Sequence, residues 1–282
     1  MVDAVRFVQI SDTHILRDYG KAKLCFLDSS PHNPPQILRV VLKNIAGKKD
    51  KPDFVIFSGD LVHEGDSEDY ALFRRIVDET LAGIPAFFAL GNHDCKEAYY
   101  QGFLREPARP SYYSVELRGL RIIVLDSAME KNPAGSGFID ETQLAWLRGE
   151  LGRKNGLGSI LVLHHPPCDE LKAGILPYCL KNSLALKDIL KGSDVRAIFS
   201  GHTHENSVSI FAGVPQFTTG STAFGVSIDE HDMCFTNQYT YNEALINGEG
   251  LYVHEEIFSA DLKILARVSL ADLMKTMEGV NP

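Results

Sequence analysis

Five short stretches of the sequence gather side chains of the kind that hold metal ions: Ser11-Asp12-Thr13-His14, Gly59-Asp60, Gly91-Asn92-His93-Asp94, His164-His165-Pro166 and Gly201-His202-Thr203-His204. Asp12, His14, Asp60, Asn92, His164, His202 and His204 supply seven donors, too many for one tetrahedral ion and about right for two. Carboxylate, imidazole and amide oxygen without thiolate suit Fe, Mn, Zn or Co in a reactive site rather than a structural zinc. Asp60 is the natural bridge, one carboxylate oxygen to each ion. His202 and His204 are two residues apart, so an extended segment would place them on one face, one for each ion. Each piece alone is weak, and a lone Asp-x-His is more often a coincidence or a cap. The ordered set is the signal.

Something must bring these stretches together. Nearly continuous apolar runs at 5–10, 54–57, 86–90, 122–125, 160–163 and 197–199 read as strands buried on both faces, and all but the fourth lead directly into a donor stretch. In α/β sheets, ligands bind beyond the carboxyl ends of the strands, so the donors should meet along one sheet edge. Glycines at 59, 91 and 201 suit tight strand-to-loop turns and close backbone approach. Amphipathic stretches at 35–46, 68–81, 141–153 and 183–190 read as helices. The third opens on Asp140-Glu141-Thr142-Gln143, an N-cap with a Gln placed to reach back, and the charged run 66–69 reads as a helix start. The stretches 112–117 and 121–125 form a hairpin, and beyond residue 200 short strands with turns (208–211, 214–218, 251–258, 262–269) point to antiparallel pairing. A last helix is expected over 270–277, and 222–247 reads as irregular, capping the site or forming a homodimer contact. With no repeat or linker to divide the chain, 1–282 is expected to be one domain, with 222–282 a C-terminal antiparallel extension.

Composition narrows the function. Twenty-eight Lys and Arg against 37 Asp and Glu give a net charge of -9, which argues against long nucleic acid as a partner. At 44% hydrophobic and 23% charged the chain is an ordinary globular one. No apolar run approaches the ~20 residues of a membrane helix, and the first residues lack the pattern of a signal peptide. Five cysteines with no Cys-x-x-Cys pair fit thiols in a reducing cytoplasm.

In this order, the stretches resemble the five-block signature of the calcineurin-like metallophosphoesterases, over residue 5 to about residue 220. The wording Asp12-Thr13-His14 and Gly201-His202-Thr203-His204 is most similar to the class III cyclic-nucleotide phosphodiesterases and bacterial glycerophosphodiesterases. The resemblance implies a four-layer α/β/β/α sandwich and a phosphoester hydrolase with two metal ions, most similar to those that cleave small phosphodiesters with a metal-bound hydroxide. It assigns Asp12, His14, Asp60 and His204 to one ion and Asp60, Asn92, His164 and His202 to the other. His93 would act on the leaving group, and Asp94 would orient it.

Other residues have blander readings. His165 is expected to pack beside the ligands, Asp126 to bond its own turn, and His32, His231 and His254 to lie at the surface. For His63, three residues after Asp60, a solvent-facing loop and a reach into the site stand even. The loops 16–34, 95–110 and 167–181 are expected to shape the substrate pocket. Alternatives to the diesterase are a non-catalytic scaffold of the same fold, a phosphomonoesterase and a nuclease of short oligonucleotides.

Overall fold

The computed structural model describes all residues except 1–3, 21, 23, 29–31, 82, 130–134, 169–178, 229, 230, 260 and 273–282. Strands β1 (Val5–Ile10), β2 (Phe54–Ser58) and β3 (Ala86–Ala89) run parallel. On the other side of β1 lie β12 (Thr240–Ile246), antiparallel to β1, and β13 (Leu251–Ile257), antiparallel to β12, giving a sheet of order β13-β12-β1-β2-β3. A second sheet of order β4-β5-β6-β7-β9-β8 contains β4 (Tyr113–Leu117), β5 (Leu120–Val124), β6 (Ser159–Val162), β7 (Val195–Ser200), β8 (Ser207–Phe211) and β9 (Val214–Thr218), with β5, β6, β7 and β9 parallel.

Strand alternation explains why the runs are apolar on both faces. Val5, Phe7, Phe54 and Ile56 meet Leu120, Ile122, Val124, Ile160, Val162, Ala197 and Phe199 in one core between the sheets. The residues between them turn outward. Val8, Ile10, Val55 and Phe57 pack on α1 (Pro34–Gly47) and α2 (Ser67–Leu81), through Leu38, Val41, Leu42, Ile45, Phe73 and Ile76. On the opposite outer face, Ile123, Leu161 and Ile198 pack with Leu144, Leu147, Leu186 and Ile189 of α4 (Glu141–Leu151) and α5 (Ser183–Leu190), α3 being the single turn Lys96–Ala98 that continues into π-type turns over Tyr99–Leu104. Helices, sheet, sheet and helices make the expected four layers.

Several expectations change. The strand at 86–90 lies at a sheet edge, so β3 is half-buried except at Ala89. Most of the described residues of 222–247 lie in strands, not in irregular chain: β10 (Gly225–Ile228) and β11 (Asp232–Thr236) form a small sheet with β14 (Ile264–Ser269), and β12 pairs directly with β1. Asp140 caps α4 by accepting from Gln143 N at 2.7 Å, but the Gln143 side chain does not reach back. Its amide instead brackets the backbone of Asp126, Oε1 accepting from the N–H at 2.8 Å and Nε2 donating to the carbonyl at 2.9 Å. The run 66–69 does start a helix, because Asp66 Oδ1 accepts from Glu68 N and Asp69 N while Asp69 Oδ2 accepts from Asp66 N. Of the helix expected at 270–277, only 270–272 falls among the described residues, as a helical turn.

The core between the sheets carries a stability prediction. Phe7 stacks on Phe54 at 4.9 Å and meets Phe199 edge-on across the sandwich at 5.2 Å. Phe7→Ala is expected to cost about 3–5 kcal/mol in urea unfolding, whereas Val208→Ala on exposed β8 should stay within about 0.5 kcal/mol.

Candidate metal centre

Asp12, Asp60, Asn92, His164 and the pair His202 and His204 each stand just past the carboxyl end of a parallel strand, β1, β2, β3, β6 and β7 in turn. The loops are bonded to one another. Asp12 N donates to Gly59 O, His14 N to Asp60 O and Gly201 N to His164 O, each at 3.0 Å. Beneath the donors Gln9 crosses from one sheet to the other, giving its Nε2–H to Ser200 O at 2.8 Å while Oε1 accepts from Asn242 Nδ2 at 3.0 Å. Arg17 ties the first loop to the start of α2, with N and Nε both on Asp69 Oδ1 at 2.9 Å.

The donors fall into two groups that share one atom. In the first, His14 Nε2 lies 3.1 Å from His204 Nε2, and Asp12 Oδ1 lies 3.2 Å from His204 Nε2 and 3.9 Å from His14 Nε2. In the second, His164 Nε2 lies 3.1 Å from Asn92 Oδ1, with the His202 ring 5.0 Å away between centroids. Asp60 Oδ2 faces both, 3.8 Å from His14 Nε2 and 3.2 Å from His164 Nε2. Adjacent donors about 2.1 Å from a common octahedral or tetrahedral ion lie roughly 3.0–3.4 Å apart, which the closest pairs satisfy.

Two expectations are refined here. Asp60 presents one oxygen to both groups, not one to each, because Oδ1 is taken by the His93 N–H at 2.9 Å. His202 and His204 do serve different groups, but not from an extended segment. Their φ values are 76° and 56°, a left-handed turn that sends them apart. Asp12, His14 and Asp60 are also left-handed, at 53°, 43° and 51°. Each such residue costs about 1–2 kcal/mol.

The chemistry of the cluster fits a cation. Asp12 and Asp60 are buried, and Asp12 Oδ1 makes no hydrogen bond among the described residues. Burial alone would raise the Asp60 carboxyl, yet His164, His93 and His14 hold it well below the ordinary range. Burial would likewise push the His164 imidazole down, but Asp60 and then Asp12 carry it up to about 9. His202 is driven down to about 3 by burial, and burial takes His14 well below its usual value, so both offer lone pairs. His164 Nδ1 and His204 Nδ1 sit 2.9 and 2.8 Å from the carbonyls of Ser58 and Phe224, which accept their protons and turn Nε2 toward the cluster.

The three glycines act in two ways. Gly59 is left-handed at φ 101°, and a Cβ there would lie 2.4 Å from His164 Nδ1. Gly91 and Gly201 need no special φ but allow close approach: a Cβ would lie 2.2 Å from Asp60 Oδ1 at the first and 2.5 Å from Asp12 Oδ2 at the second.

His93 borders this cluster, its side chain 31% exposed. Asp94 does not orient it. The Asp94 carboxylate is filled by Gly91 N, Leu61 N, Val62 N and the Tyr70 hydroxyl, at 2.7–3.1 Å, and so locks the second and third loops together. Glu64 orients His93 instead, with Oε1 3.2 Å from Nδ1. Burial opposes the charged form of His93, but Asp60 and Glu64 raise it above the ordinary imidazole value. His63 is no solvent-facing loop residue: it stacks on His93 with centroids 4.3 Å apart and, with Glu64 and His93, forms a further donor group. His165 is buried, its Nδ1 2.9 Å from Ser127 Oγ. Asp126 bonds its turn through Ala128 N as expected, and also pairs with Lys96 at 2.8 Å. Sequence reasoning also misses Phe224, whose ring packs on His14 and His204, because it follows no donor stretch.

Comparison with known proteins follows the same lines. A profile of the calcineurin-like phosphoesterase family matches residues 5–206. The chain is 37% identical over 222 residues to a probable cyclic nucleotide phosphodiesterase of Rhodococcus erythropolis, covering 77% of this chain and 70% of that one. It is 33% identical to a cAMP/cGMP dual specificity phosphodiesterase of Mycobacterium tuberculosis, over 77% of this chain and 67% of the relative. A probable glycerophosphodiester phosphodiesterase of Arcobacter nitrofigilis is 32% identical, over 79% and 80%. Among solved structures, GAP50 of Plasmodium shares the fold at 16% identity, with a TM-score of 0.56 over 95% of this chain and 88% of that one.

Close glycine approach is testable. Gly91→Ala would force a methyl group onto Asp60 and is expected to lower metal bound per folded chain, read by elemental analysis after dialysis, with the circular dichroism of the wild type retained. Undiminished metal content would show that the approach is not needed.

Proposed function

The chain belongs to the calcineurin-like phosphoesterase family of metal-dependent phosphoester hydrolases, and on that premise we propose that it hydrolyses a small phosphodiester, a cyclic nucleotide or a glycerophosphodiester, with two metal ions. The observation that carries this reading is Asp60 Oδ2, one buried oxygen turned toward two donor groups. Asp12, His14, Asp60 and His204 would hold one ion, and Asp60, Asn92, His164 and His202 the other. Fe, Mn, Zn and Co all suit such donors. Bound cations supply Lewis acidity that activates water near neutral pH and offsets charge building up at phosphorus.

The chain's own residues would do the rest. Buried carboxylates and carbonyl-anchored imidazoles hold the donors in place. His93, oriented by Glu64 through Nδ1, would have Nε2 available to give a proton to the departing alkoxide, and Asp60 and Glu64 favour its charged form for that purpose. Asp94 would act at one remove, fixing the loop that carries Asn92 and His93. A diester is favoured over a monoester because the similar relatives are named for diesterase activity. One domain acting in the cytoplasm fits β12 as a partner of β1 and five cysteines without a disulfide framework in their spacing. No helix among the described residues is long and apolar enough to cross a membrane.

Cyclic nucleotides, glycerophosphodiesters, bis-nitrophenyl phosphate and a matched monoester, assayed with wild type and His93→Ala, test the reading. The diesters should turn over faster than the monoester. His93→Ala should keep its metal and lose about 10²–10⁴ in rate on alkyl leaving groups, and less on nitrophenolate, which departs without a proton. Equal losses on both leaving groups would remove His93 as the acid, and monoester preference would overturn the diesterase assignment.

A further inference from the structure

Resting on the metal centre proposed above, we propose that His63 is a positioning residue for His14: its Nδ1 lone pair accepts the Nδ1–H of His14 and so turns the Nε2 lone pair of His14 toward the cation. The imidazoles differ in what holds their Nδ1 atoms. His164 and His204 each have Nδ1 against a backbone carbonyl, an atom that can only accept, so their protons are fixed on Nδ1. Among the described residues, no such carbonyl faces His14 Nδ1. That nitrogen lies 3.0 Å from His63 Nδ1.

At that distance two bare nitrogens would repel, so one carries the proton. Were it His63, neutral His14 would hold its own proton on Nε2, aimed at His204 Nε2 at 3.1 Å and Asp12 Oδ1 at 3.9 Å, and could not ligate a cation. The donor role of His14 therefore requires His63 to be the acceptor, with its proton on Nε2. His63 is not itself within the ligand set, because it meets the Nδ1 edge of His14 while the other donors surround Nε2.

The surroundings hold His63 in that role. Its ring stacks on His93 with an interplanar angle of 24° and lies 5.0 Å from the His14 ring. The backbone on either side is pinned: Val62 N donates to Asp94 Oδ1 at 3.1 Å, and Glu64 N to His93 O at 2.8 Å. Val62 also bridges Ile15, beside His14 in the first loop. One side chain thus links the loop that bears His14 to the loop that bears His93.

The test uses a coincidence of covalent geometry. Asn carries Oδ1 at the same branch position where His carries Nδ1, so His63→Asn restores an acceptor, while His63→Leu keeps apolar bulk and removes it. The full chain, stripped of metal, is titrated with Zn²⁺ against a competing chelator, and the ring resonances of ¹⁵N-histidine-labelled, Zn²⁺-loaded protein are recorded. His63→Leu should weaken the affected zinc site about 10–100-fold and expose the His14 Nδ1–H to fast solvent exchange. His63→Asn should recover most of the affinity and the slowly exchanging proton. Wild-type affinity in His63→Leu, or His63→Asn no better than His63→Leu, would overturn the inference while leaving the metal centre standing. A wild-type chain that binds no Zn²⁺ would overturn the metal centre itself, and this inference with it.

Discussion

Two carboxylates removed from water at the seam between the sheets set the terms for the rest of the molecule. Asp12 and Asp60 are buried, and an uncompensated carboxylate there would cost several kcal/mol. The neighbours answer this with imidazoles: His204 and His164 lie near Asp12 and Asp60 at 3.2 Å, and His164 is driven toward its charged form. A divalent ion meets the same demand more fully, and Asp12 Oδ1, which makes no hydrogen bond among the described residues, is suited to receive one. The left-handed backbone at five donors, on the order of 5–10 kcal/mol in sum, is held by loops that bond to one another and by glycines that let the backbones touch.

Parallel strands make the convergence possible. Two sheets packed face to face bring the carboxyl ends of β1, β2 and β3 against those of β6 and β7, and Gln9 fastens them just below the donors. The second tier of contacts assigns the finer roles. Asp94, bonded by three backbone amides and Tyr70, is structural, and burial together with Asp60 raises its carboxyl to about 6 despite those bonds. Glu64 and His63, on the loop after β2, reach the reactive edge and orient His93 and His14.

Much of this is legible in the sequence for a physical reason. A strand buried on both faces reads as an apolar run, so a polar donor just beyond it stands out. Ser11-Asp12-Thr13-His14 after 5–10 and Gly201-His202-Thr203-His204 after 197–199 are visible in that way. What escapes is set by partners distant in the chain. β12 inserts beside β1 more than two hundred residues later, and no local pattern marks that pairing. The choice between Asp94 and Glu64 as the partner of His93 depends on which carboxylate already has its lone pairs filled, and the one-oxygen presentation of Asp60 depends on the N–H of His93. Sequence adjacency favours Asp94, whereas the hydrogen bonds favour Glu64.

The central claim is that Asp60 Oδ2, which faces both donor groups, would be a donor common to two ions. Electron paramagnetic resonance of the protein loaded with Mn²⁺ tests it most directly, because spins bridged by a single oxygen couple while separated ones do not. Two Mn²⁺ per chain with an exchange-coupled spectrum that reverts to isolated ions in Asp60→Ala is the predicted result. Two ions per chain giving only the six-line signal of uncoupled Mn²⁺ would contradict it.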